Sequence, residues 1–104
     1  MGVIAQELRE FEQARKDYQQ ALQISIEFGD HYTQALTYHQ LGIVAQELRE
    51  FEEARANYQQ ALQIQVEFGD RYNQASTYHQ LDIVAQALHK FEQARNFANN
   101  FVPQ

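Results

Sequence analysis

Gly42-Ile43-Val44-Ala45-Gln46-Glu47-Leu48-Arg49-Glu50-Phe51-Glu52 decides the fold, because the chain writes this stretch nearly three times. It stands earlier as Gly2-Val3-Ile4-Ala5-Gln6-Glu7-Leu8-Arg9-Glu10-Phe11-Glu12. It returns, with drift, as Asp82-Ile83-Val84-Ala85-Gln86-Ala87-Leu88-His89-Lys90-Phe91-Glu92. The offset is 40 residues both times. A constant internal period of this size marks units that bury their apolar faces against their neighbours, stacking as a solenoid.

Outward from the repeat, the spacing is helical. Phe51, Ala54, Tyr58, Ala61, Leu62 and Val66 recur at intervals of three and four, the stripe of an amphipathic helix. Tyr72, Ala75, Tyr78, Leu81, Ile83, Val84, Ala85 and Leu88 make a broader apolar surface, as expected of a helix packed on two sides. Gly29-Asp30 and Gly69-Asp70 punctuate the stripes. Glycine accepts the left-handed conformation after a helix, and aspartate caps the free amides of the next one. The spacing predicts helices near 3–9, 12–28, 31–48, 51–68, 71–88 and 91–100. Leu48-Arg49-Glu50-Phe51 has no breaker, so packing must hold any bend there. That turn is a candidate hinge through which two helices straighten into one and swap between chains.

Composition narrows the function classes. With 104 residues, 44% of them hydrophobic, the chain supports one small domain. The absence of cysteine removes disulfides and thiolate chemistry and fits a cytoplasmic setting. No apolar run reaches membrane-spanning length, and no leader is expected. A net charge of −6 disfavours nucleic acid.

Tyr38-x2-Leu41-Gly42-x2-Ala45, followed by Phe51-x2-Ala54-x3-Tyr58-x2-Ala61-Leu62, resembles the tetratricopeptide repeat. The 40-residue period and Glu67-Phe68-Gly69-Asp70 are similar to the longer-repeat subclass of kinesin light chains, cell-polarity adaptors and bacterial signalling arrays. The resemblance implies an all-α fold of antiparallel helix pairs stacked as a short right-handed solenoid. It divides the single domain into a truncated first repeat (1–34), a complete repeat (35–74) and a degenerate last repeat with a C-terminal helix (75–104). Asp82 replaces Gly42, Ala87 replaces Glu47, and residues 96–101 lose the Tyr-Gln-Gln-Ala-Leu pattern.

The resemblance further implies a non-enzymatic scaffold that binds a peptide or protein in a concave groove. The expected groove residues are Leu36, His39, Gln40, Ile43, Gln46 and Glu47 on one helix and Ser76, His79, Gln80, Ile83 and Gln86 on the next, with Gln6 at the front. Amide side chains that donate and accept suit an extended peptide backbone. No Lys or Arg occupies these positions, so a basic or polar partner is favoured over an acidic tail. His39 and His79 are a weak metal pair, since two ligands fall short of a site. Glu50, Glu52 and Glu53 beside Arg49 and Arg55 read as a solvated face rather than catalytic acids. No cofactor, metal or catalytic residue is expected. The competing expectation is a self-associating unit, a homo-oligomer or swapped dimer, in which Val3, Ile4, Leu8, Phe97 and Phe101 meet another copy.

Overall fold

The computed structural model describes residues 2–100, with side-chain surroundings from residue 6 onward. Four helices account for nearly all of them: α1 (Gly2–Glu27), α2 (His31–Glu47), α3 (Phe51–Glu67) and α4 (Arg71–Asn100). Each packs against the next in sequence, giving the helix-pair layering of an all-α repeat. No strand occurs among the described residues.

Two connections follow the glycine–aspartate logic. Gly29 and Gly69 take φ of +63° and +67°. The amides of Asp30 and Asp70 reach back to the carbonyls of Ser25 and Gln65, each at 2.9 Å. Both carboxylates then cap the next helix, accepting from the amides of Thr33 and Asn73 at 3.1 Å. Helix end and helix start are thus satisfied within a few residues.

The third connection has the same backbone with unsuited residues. The Glu50 amide reaches the Ala45 carbonyl at 2.8 Å, and the Arg49 amide reaches Gln46 at 3.0 Å. Arg49 therefore occupies the glycine position, at φ +61°. A side chain there costs about 1 kcal/mol. Glu50, in the cap position, makes no side-chain cap bond.

Packing offsets this cost, and Tyr58 is its centre. Tyr58 and Ala54 are fully buried, with Ala45 and Val84, and Ile43, Phe51, Leu81 and Leu88 pack around them. The ring of Tyr58 lies over Gly42 so closely that an added Cβ would sit 2.6 Å from it. Its hydroxyl donates to Gln46 Oε1 at 2.8 Å, and the His39 ring meets it edge-on at 5.2 Å.

The bends expected at 9–12 and 88–91 are absent. Helices α1 and α4 run straight through both copies of the junction, giving four helices where six were expected. For the last copy the reason lies in the partners. In the last copy, Asp82 stands in the place of Gly42 and Ala98 in the place of Tyr58, so both halves of the central packing pair are missing. In the first copy the equivalent pair, Gly2 and Tyr18, is kept in the sequence, and α1 runs straight all the same from Gly2 to Glu27. Without a bend, every residue from His89 to Asn100 is exposed. The long axis reaches 57 Å and the radius of gyration 16.5 Å, against about 13 Å for a compact chain of this length.

Candidate peptide-binding face

The first helices of the pairs, α2 and the front of α4, lie side by side. Period and helix geometry place Leu36 opposite Ser76, His39 opposite His79, and Ile43 opposite Ile83. At the upper end of this face is an open concavity of about 100 Å³. Leu36, His39 and Ser76 line it, as does Tyr32, one turn before Leu36, and Asn73, one turn before Ser76. Tyr32 and Leu36 are well exposed at 70% and 51%, an apolar foothold beside polar groups.

The remaining expected residues divide into three kinds. Gln40, Gln80, His79, Glu47 and Ile83 are exposed or half-buried on α2 and α4. Ile43 and Gln46 are already engaged, Ile43 against the core and Gln46 by the Tyr58 hydroxyl. Gln86 donates to Asp82 at 3.1 Å, a bond within its own helix. Gln6 rides on straight α1, bonded to Glu10, and α1 contributes nothing to the lining of the concavity.

His39 and His79 differ despite their equivalent places. His39 Nδ1 sits 3.1 Å from the hydroxyl of Thr77, which is fully buried, and burial lowers the His39 pKa. His39 is thus a structural tie between α2 and α4, while His79 is exposed. Among the described residues no three His, Cys, Asp or Glu side chains group as a metal site.

The sequence pattern missed Tyr32, Asn73 and Gln65. Tyr32 and Tyr72 share the stripe of Leu36 and Ser76 one turn earlier, a signal available by period. Gln65 reaches the concavity from the end of α3, 95% buried, with no hydrogen-bond partner for Oε1 among the described residues. Nothing in its local sequence announces that role.

The acidic cluster also acquires an unforeseen partner. Arg15 of α1, rather than Arg49, binds Glu50 at 2.5 Å and approaches Glu53 at 3.7 Å. Arg55 pairs locally with Glu52. Burial pulls the Arg15 pKa down, but the Glu50 hydrogen bond and the surrounding carboxylates outweigh it and raise it. The Glu50–Glu53 carboxyl hydrogen bond lowers the pKa of Glu50 and raises that of Glu53. This charge network joins α1 to the one bend that forms at a repeated junction.

Of the residues expected in self-association, Leu8 is 48% and Phe97 65% exposed. The side chains of Val3 and Ile4, and all of Phe101, lie outside the described residues. No helix among the described residues is long and apolar enough to cross a membrane.

A family model described as "Tetratricopeptide repeat" matches residues 1–65 and 33–99, two overlapping registers that together span almost the whole chain. No curated protein matches, and no solved structure matches. The match, the 40-residue period and the stacked helix pairs agree, and the chain belongs to the tetratricopeptide repeat family.

Proposed function

We propose that this chain is a non-enzymatic cytoplasmic interaction module that holds an extended peptide across α2 and the front of α4. Repeats of this family mediate protein–protein interaction. The observation that carries the reading is the concavity where exposed Tyr32 and Leu36 meet His39, Asn73 and Ser76. Apolar anchors beside groups that donate and accept suit a peptide backbone carrying alternate side chains.

The charge of the face sets the partner class. Asp70 borders the concavity, Glu47 and Asp82 lie farther along, and the net charge is −6. A basic or polar segment gains from this field and an acidic one is repelled, as is nucleic acid. The carboxyls of Glu50 and Glu53 belong to the Arg15 network, which supports a structural role for them rather than acid–base catalysis.

The test is fluorescence anisotropy with labelled peptide pools of matched length, one Lys-rich, one uncharged and polar, one Glu-rich. Saturable binding of the Lys-rich or polar pool is expected. Leu36→Ala with Gln80→Ala should weaken it about tenfold, near the loss of one good anchor. Failure of all three pools to saturate, or binding indifferent to the double substitution, would overturn the reading.

A further inference from the structure

The one buried side-chain nitrogen or oxygen left without a partner among the described residues lies near the end of α3. Gln65 is 95% buried, and its Oε1 accepts no hydrogen bond. Two donors that reach this residue, the Asp70 amide at 2.9 Å and Gln74 Nε2 at 3.2 Å, both go to its backbone carbonyl. The repeat does not demand an amide here. One period earlier stands Ser25, whose hydroxyl donates to the Leu22 carbonyl at 2.8 Å. A buried acceptor without a donor is costly, and the cost is lifted when a donor arrives.

Gln65 sits where two hollows meet. One is the concavity beside Leu36 and Ser76. The other, of about 430 Å³, opens between the two glycine–aspartate turns and is walled by His31, Tyr32 and Phe68. Tyr32, Ala35, Gln65 and Asp70 belong to both. Tyr32 and Phe68 are well exposed, and the His31 ring braces Phe68 at a centroid distance of 5.2 Å. Asp30 adds a second carboxylate to the larger hollow. Among the described residues no Lys or Arg lines either hollow. The helix-capping bonds to the two carboxylates come from neutral donors, on Thr33 and Asn73, and leave them acceptor capacity.

An orphan acceptor, unneutralised carboxylates and open aromatic faces together suit a flat cation with several N–H donors. A guanidinium donates to an amide oxygen and a carboxylate at once, and its plane stacks on aromatic rings. An ammonium is a compact point charge without that fork. A neutral amide gains nothing from the two acids.

We propose that the larger hollow takes an arginine side chain, with a guanidinium N–H donating to Gln65 Oε1, its charge facing Asp70 and Asp30, and its plane against Tyr32 and Phe68. The Gln65 amide turns about its last side-chain torsion, a broad one, to present Oε1. On the peptide reading, on which this rests, the arginine belongs to the bound segment, which is then arginine-bearing rather than merely basic.

Titration of the isotope-labelled chain with N-acetyl-arginine amide, followed by NMR, tests the hollow without a peptide. Saturable shifts are expected at the Gln65 side-chain amide and at the backbone of Tyr32, Phe68 and Asp70. The citrulline analogue, alike in shape and uncharged, should bind about tenfold more weakly, and the lysine analogue severalfold more weakly. Gln65→Met keeps the volume and removes the acceptor. It should weaken the arginine probe about tenfold, the loss of a hydrogen bond to a charged group. Phe68→Ala, at an exposed position, should weaken it about threefold, and decides the matter if the buried substitution does not fold. No saturation, equal binding of arginine and citrulline, or binding indifferent to both substitutions would overturn the proposal. An Oε1 satisfied by water alone gives the first of these results. If the arginine probe saturates and the labelled peptide pools do not, only the peptide reading falls. If the pools bind and the probe does not, only the arginine site falls.

Discussion

Residues 8–12 and 48–52 are the same five amino acids in the same order, Leu-Arg-Glu-Phe-Glu, yet the first copy runs through the middle of α1 and the second turns the chain around. Local propensity cannot separate them. Every residue in the stretch tolerates a helix, and the turn sets Arg49 in a conformation that glycine would favour. The difference comes from distant residues. At the middle copy Gly42 leaves room for the Tyr58 ring, and Arg15 of α1 holds Glu50. Tertiary packing overrides a sequence that locally prefers to continue.

This contrast can be broken most severely at Tyr58. Tyr58→Ala removes the largest fully buried side chain and leaves a cavity under the bend, at a cost of about 3–5 kcal/mol. Urea unfolding followed by circular dichroism measures the loss. The equivalent change at Tyr18, which is only partly buried, should cost clearly less.

Alkali attacks the same ring. Burial, and then the charge of Glu47, push the Tyr58 pKa up to about 12. A group whose folded pKa is raised contributes its stability in full below the unfolded value, about 10, and loses it as pH rises toward the folded value. Stability should therefore fall between pH of about 10 and 12. Tyr58→Phe should flatten part of that fall in urea midpoints measured across the range.

Gly42→Ala probes the other half of the pair. The new methyl would meet the Tyr58 ring at 2.6–2.8 Å, so ring or helix must shift, costing about 1–3 kcal/mol. The same urea measurement reads it. The smallest expected effect has the opposite sign. Arg49→Gly relieves the left-handed side chain at φ +61° and should stabilise the chain by about 1 kcal/mol. Arg9→Gly, inside straight α1, should destabilise it by about as much.

These asymmetries explain which parts of the fold were legible in sequence. The 40-residue period, the helix-pair family and the Gly–Asp turns are local or repeated signals, and the structure has all of them. The number of helices was not legible from local rules. It depends on pairs such as Gly42 with Tyr58 and Arg15 with Glu50, 16 and 35 residues apart in sequence. The candidate face shows the same division. Period alone aligns Leu36 with Ser76 and His39 with His79. It does not reveal that Thr77 ties up His39, that Tyr58 occupies Gln46, or that Gln65 arrives from another helix.

Distances across the two junctions test the central claim most directly. The chain has no cysteine, so cysteine pairs at exposed positions 36 and 56, and separately at 76 and 96, accept spin labels cleanly. Both pairs are 20 residues apart and sit at equivalent repeat positions. Labelled chains diluted with unlabelled ones restrict double electron–electron resonance to distances within one chain. The expected result is about 30 Å between 76 and 96, the length of an unbroken helix, and roughly half that between 36 and 56, where two packed helices run back together. Equal distances at the two junctions would contradict the claim that packing alone decides whether the repeated stretch bends.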